Sequence, residues 1–299
     1  MSNRMLRITR FFALLLLCMT RLAAQQAHSG TIVGVLEELP AEDSERSAKV
    51  RVVQIAFEKH ENDWVAISSE SGQDVPKEIT WTIAFDGRNL GKITANTDNN
   101  ASVYSPGKLQ TIVSTTPVPT VGERSRDFSG QLEVEVLRPL VAVSAPNFSD
   151  PERWKPATFS PAVVSSFRTA FRRHFGKLCR TAPSDPSKLK PFSYSDEQLK
   201  VVKSYASQSG WKLSRMHLDG AIDCNDTDAG FEIDDPWFVM DTNGSVLYLD
   251  SGMFLVDAGD YDGDGKSELI FSIDRDNRGG YRIFYDEFRK RAQLEYSYH

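Results

Sequence analysis

Apolar residues recur at every second position through much of the first half of the chain. Val53, Ile55 and Phe57 alternate with Gln54, Ala56 and Glu58, while Val50 and Val52 fall on the opposite parity, which places a bulge near Val52–Val53. His60-Glu61-Asn62-Asp63 makes a turn and Trp64-Val65-Ala66-Ile67 returns. A second hairpin runs from Ile79, Trp81, Ile83 and Phe85 through Asp86-Gly87-Arg88-Asn89 into Leu90–Ala95. Leu132, Val134 and Val136 mark a further strand with Glu133 and Glu135 facing outward. These are half-buried antiparallel strands, wet on one face.

The period changes once. After prolines at 146, 151 and 156, Ser160 is a fit N-cap and Pro161 a fit first helical residue. Val163, Val164, Phe167, Phe171 and Phe175 then repeat at helical spacing, with Arg168, Arg172 and Arg173 on the other side and Gly176 as the stop. Further on, Leu199–Tyr205 fits either a strand or a helix opened by a Ser195/Gln198 capping box. Trp211–Leu218 reads as a strand, and Asn243-Gly244 as a hairpin turn between Pro236–Met240 and Ser245–Leu249. The fold expected is mainly β, an antiparallel meander or β-propeller-like arrangement, with one clear helix near 161–175.

One stretch carries recognisable chemistry. In Gly259-Asp260-Tyr261-Asp262-Gly263-Asp264-Gly265-Lys266-Ser267-Glu268-Leu269, three aspartates stand at alternate positions and a glutamate follows four residues later. Glycines let the backbone fold these oxygens toward one point, and such a loop suits a hard cation with six to eight oxygen ligands, namely Ca²⁺. An EF-hand needs an acid at its twelfth position, which here is Phe271. The flanks Met253–Val256 and Leu269–Ile273 are short, apolar and strand-like. A strand–acidic loop–strand unit of this kind resembles the FG-GAP (VCBS) repeat of integrin-α-type β-propellers, over about residues 253–284. The resemblance implies calcium held by the side chains of Asp260, Asp262, Asp264 and Glu268 and the carbonyl of Lys266. There is a single such loop.

The chain start is read as a signal peptide at 1–24, with Arg4, Arg7 and Arg10 before the apolar Phe11–Met19 and a small-residue exit at Ala23-Ala24. Cys18 raises lipid anchoring, although Leu17 stands where a small residue is expected. An exported location, periplasmic or extracellular, and no transmembrane segment follow. Four arginines and no acids leave with residues 1–24, which takes the formal charge from −6 to −10. So acidic a chain is a poor partner for nucleic acid. Cys179 and Cys224 form an even pair and read as a disulfide closing 46 residues, worth roughly 4 kcal/mol in the chain-entropy model. The remainder divides into a β module at 25–145, a Pro-rich connector at 146–160 and a β module at 161–299 with the calcium loop. At ~40–50 residues per blade, five or six blades fit.

No Gly-x-Ser-x-Gly elbow, His-Glu-x-x-His helix or phosphate loop is present. The acidic run Asp223, Asp226, Asp228, Glu232, Asp234 and Asp235 reads as a solvated loop, with a weak second metal site or a catalytic carboxylate pair as its other readings. The expected function is an exported calcium-binding, propeller-like module that binds a protein or carbohydrate partner. The competing class is a secreted hydrolase with a carboxylate-based site on the same β scaffold.

Overall fold

The alternating N-terminal strands close on themselves. In a computed structural model, which describes residues 30–40, 49–68, 74–97, 107–113, 115, 117–119, 138–175, 194–219, 235–275 and 277–297, seven strands build the first sheet. They are β1 (Ile32–Pro40), β2 (Lys49–His60), β3 (Asp63–Ala66), β4 (Glu78–Phe85), β5 (Arg88–Thr97), β6 (Lys108–Ile112) and β7 (Leu140–Val143). Their order is β1-β7-β4-β5-β6-β2-β3, and β2 also pairs with β1, so six strands form a closed antiparallel barrel with β3 on its flank. Strand β2 makes closure possible because it is 12 residues long. One edge pairs with β1, and the other serves β6 at Val52–Ile55 and then β3 at Phe57–His60.

The barrel interior holds Val53, Ile55, Trp81, Ile83, Ile93 and Leu140. Phe57 does not join Val53 and Ile55. The β1–β2 register shifts at Val33/Gly34, opposite Ile55 and Phe57, so Ala56 is the extra residue and Phe57 turns outward. The bulge therefore lies three to four residues beyond the Val52–Val53 position expected from parity. Such bulges add the local twist that a small barrel needs to close.

Two open sheets follow. The first consists of β8 (Lys155–Pro156), β9 (Leu199–Ala206), β10 (Lys212–Leu218), β11 (Trp237–Met240) and β12 (Val246–Asp250), in the order β12-β11-β10-β9-β8. The second is a four-stranded meander of β13 (Met253–Gly259), β14 (Glu268–Arg275), β15 (Arg278–Tyr285) and β16 (Lys290–Ser297). In the five-stranded sheet, Asp241-Thr242-Asn243-Gly244 closes β11 onto β12 as the Asn-Gly step predicts, with Asp241 N donating to Ser245 O at 2.9 Å. The helix α1 (Pro161–Phe175) starts where the Ser160-Pro161 cap predicts, and its expected stop, Gly176, lies outside the described residues. Ser195 N does donate to Gln198 Oε1 at 3.0 Å, but this bond closes a turn, and Leu199 begins a strand.

The layers stack in the order barrel, four-stranded sheet, five-stranded sheet, helix. Val256, Ile270, Ile283 and Leu294 pack on the barrel exterior at Val33, Phe57 and Val143. The other face of the same sheet, with Leu269, Phe271 and Phe284, packs on Leu213, Trp237 and Val239. Phe167 and Phe171 of α1 cover the far side against Met216 and Phe238. The propeller expectation is thus corrected. The chain is mainly β, but its dominant sheet closes into a barrel and its open sheets stack face to face instead of radiating around an axis. Residues 1–24, the Leu132–Val136 strand, Cys18, Cys179 and Cys224 lie outside the described residues, among which no disulfide is present.

Candidate catalytic and cation-binding site

The acidic loop joins β13 to β14 at the edge of the barrel–sheet contact. The Gly259↔Glu268 pair closes its base, and Asp260 N donates to Ser149 O at 2.8 Å. Tyr261 turns inward, fully buried, and stacks on Phe148 with ring centroids 5.4 Å apart. These anchors leave the aspartates to organise the backbone between them. Asp260 Oδ1 accepts from Gly263 N at 2.7 Å and Asp264 N at 3.0 Å, and its Oδ2 from Gly265 N at 2.9 Å. Asp262 Oδ1 accepts from Asp264 N at 3.1 Å, and Asp264 Oδ1 from Lys266 N at 2.8 Å. Gly263 and Gly265 sit at φ 79° and 87°, the left-handed region that other residues enter only with strain.

Of the five residues read from sequence, three come together. Asp260, Asp262 and Glu268 each direct a carboxylate oxygen into a space where all lie within 4.8 Å of one another. Asp264 is exposed and outside this trio. Lys266 is exposed as well, and its ammonium lies 3.9 Å from Asp286. Glu268 is the buried member, 2% exposed, with Oε2 accepting from Tyr261 N at 2.9 Å.

The barrel contributes a residue that periodicity did not single out. Lys59, near the end of β2, forms an ion pair with Asp262, and its ammonium lies over the rings of Trp64 at 5.2 Å and Tyr285 at 5.5 Å. The available signal was a lysine on the same strand parity as the core residue Phe57.

Oxygen-only donors suit a hard cation, and the electrostatics without one are unfavourable. Burial and the neighbouring Asp262 push the Glu268 carboxyl up to about 9. Burial also raises Asp260, against the N–H groups of Gly265 and Gly263 that lower it. Asp257, on β13 at the register shift beside Leu255, is fully buried and pushed up to about 7 by desolvation, with Arg138 opposing.

A pH dependence follows. The folded Glu268 pKa lies far above its unfolded value of about 4.3, so its contribution to stability is full below that pH and is lost as pH climbs toward 9. A cation reverses the loss by displacing the proton. Calorimetric titration with calcium in two buffers of different ionisation enthalpy should therefore show proton release at pH 7, and affinity rising up to about pH 9. Affinity independent of pH, with no proton released, contradicts this.

The second acidic constellation is only partly described. Asp223, Asp226, Asp228, Glu232 and Asp234 lie outside the described residues. Asp235 receives Arg215 at 3.0 Å and His217 Nδ1 at 2.7 Å, and His217 Nε2 lies 3.2 Å from Asp219. His174 stacks on Tyr248 at 3.7 Å, and burial lowers its pKa. Tyr281, Phe284, Tyr285 and Phe288 of the aromatic C-terminal run are buried in the two sheet interfaces.

A closed barrel carrying a carboxylate site at its junction with a stacked sheet is the class that fold and site define. No family model matches the chain, and no curated protein or solved structure is significantly similar to it. The resemblance to the FG-GAP repeat is overturned by the closed barrel and two stacked open sheets, and the reading as a calcium-braced propeller module falls with it. No helix among the described residues is long and apolar enough to cross a membrane.

Proposed function

We propose that this protein is an exported hydrolase whose site is the Asp260–Asp262–Glu268 cluster, with calcium as its cation. The observation that carries this reading is the convergence of three carboxylates within 4.8 Å at the barrel–sheet junction, one of them buried. Calcium is favoured over magnesium because the trio sits on an irregular glycine-bearing loop, whereas magnesium demands a near-ideal octahedron. The expected affinity is in the weak extracellular range, ~10⁻⁴–10⁻³ M. A bound cation supplies positive charge that polarises a substrate oxygen.

The chain's own residues supply the rest. Asp260 is held rigid by three backbone N–H donors and fixes the loop's shape. Asp262 faces the ammonium of Lys59, which can donate to an oxyanion developing beside it. Glu268, a carboxylate once a cation has displaced its proton, can hold that cation from the buried side of the trio and accept a proton from an attacking water. The acidic surface favours an uncharged ester or glycoside over an anionic polymer.

The test is a panel of chromogenic ester and glycoside substrates, assayed with calcium and with chelator. Turnover that needs calcium, and that Lys59→Met reduces ~100-fold while calcium-dependent thermal stabilisation persists, supports the reading. A protein that binds calcium yet turns over nothing on the panel rules the hydrolase out and leaves a cation site alone.

A further inference from the structure

The second concentration of charge lies on the opposite face of the four-stranded sheet. Glu268 shares its strand parity with Ile270, which faces the barrel. Arg275 on β14, Arg282 on β15 and Arg291 on β16 share the other face, that of Phe271 and Phe284. All three converge on one carboxylate, Asp250, at the end of β12. Arg275 Nη2 donates to Asp250 Oδ1 at 2.6 Å, Arg282 Nη1 pairs with Oδ2, and Arg291 Nη1 lies 3.8 Å from Oδ2. Tyr248 also donates to Asp250, at 3.2 Å. Glu295, further along β16, is held by Arg278 and Gln293.

Three guanidiniums on one carboxylate leave two formal positive charges gathered in a chain whose net charge is −6. The gathering is costly. Arg282 is 3% exposed, its Nε has no hydrogen-bond partner, and its Nη2 is taken by Gln293. Burial and the neighbouring arginines act against its charge, with Asp250 opposing. Core packing does not require such an arrangement, because a buried unpaired N–H carries a desolvation penalty and adjacent like charges add to it.

We propose that Arg275, Arg282 and Arg291 form an oxyanion-binding site whose ligand is a phosphate group, free or as a monoester. A dianion matches the residual charge, while a monocarboxylate leaves half of it uncompensated. Guanidinium forks match phosphate oxygens in geometry, and each such bond is charge-assisted. The side chains of Arg291 and Arg275 are 55% and 24% exposed. Arg275 commits Nε and Nη2 to the Ser251 carbonyl and Asp250, and Arg291 Nη1 donates to Leu249 O at 3.5 Å. The ligand's donors are therefore Nη1 of Arg275 and Nη2 of Arg291, with Arg282 adding charge from behind. Asp250 keeps the forks oriented whether or not the ligand is bound.

The experiment is thermal melting of the full chain at pH 7.5 with chelator present, so that the acidic loop holds no cation. Inorganic phosphate and glycerol phosphate are titrated separately against sodium chloride of matched ionic strength. Phosphate should raise the melting temperature saturably where chloride does not. Equal affinity for both phosphates identifies a monoester site, and binding of inorganic phosphate alone a free-anion site. Arg291→Gln, on the most exposed of the three, should weaken the apparent affinity ~10-fold, and Asp262→Ala on the other face should leave it unchanged. A shift reproduced by chloride, or one retained at wild-type affinity by both Arg291→Gln and Arg275→Gln, overturns the proposal.

Discussion

Replacing Trp81 by alanine should cost about 3–5 kcal/mol, the range for deleting a buried aromatic side chain. Trp81 is fully buried in the barrel interior, where it packs with Ile83 and Ile93. For a domain of this size the loss corresponds to roughly 6–20 °C in melting temperature. Trp81→Phe separates packing from polarity. It retains most of the ring but removes the 2.9 Å hydrogen bond from Nε1 to Gln110 Oε1. Gln110 is itself fully buried, and its Nε2 still donates to Pro76 O at 2.9 Å, so the abandoned carbonyl should cost about 1–3 kcal/mol. Trp64 is the control. It is also buried, but on the barrel exterior, and its Nε1 has no partner. Trp64→Phe should therefore cost clearly less than Trp81→Phe in the same denaturant titration. Equal losses would mean that the Gln110 bond contributes nothing.

Asp262→Ala should abolish the calcium-dependent gain in stability. At calcium about 100 times its dissociation constant, that gain is ~2.7 kcal/mol. The substitution removes one of the three converging carboxylates and leaves Lys59, only 15% exposed, without its counter-charge. The cation-free variant should therefore also be less stable than the parent, and Lys59→Met in the same chain should recover part of that loss. Glu268→Gln keeps a carbonyl ligand and should retain partial binding. Asp264→Ala should retain more, since its carboxylate lies outside the trio. Melting curves with chelator and with millimolar calcium measure all four. Equal loss for Asp264→Ala and Asp262→Ala would place Asp264 inside the coordination shell after all.

What could be read from the pattern of residues was local. Ser160-Pro161 and the phenylalanines at 167, 171 and 175 define the helix because a helix bonds only to itself and shows one face to a partner. Asp86-Gly87 and Asn243-Gly244 close hairpins for the same local reason. Barrel closure could not be read. Strands β1 and β7 complete the ring, and neither carries a period-two signal. In β1, Ile32 and Leu36 face the interior while Val33 and Val35 face the second sheet, and in β7 all four residues are buried. Strands buried on both sides lose the alternation that reveals them. The acidic loop was visible in sequence because its ligands are neighbours along the chain. Lys59 was not, because it meets Asp262 only through packing of the barrel against the sheet.

The order of layers in space differs from their order along the chain. The four-stranded sheet is the inner layer, covered on both faces, yet its strands run from Met253 to Ser297, after those of the barrel and of the five-stranded sheet. During synthesis the outer layers are made first, and each must wait with an apolar face uncovered until the central sheet emerges. Chain ends are ordinarily where proteins best tolerate trimming. Here, loss of β15 and β16 would remove material from the middle of the molecule and expose two interfaces at once. Nascent chains stalled before Arg278 should accordingly be the species most dependent on chaperones and most prone to aggregate.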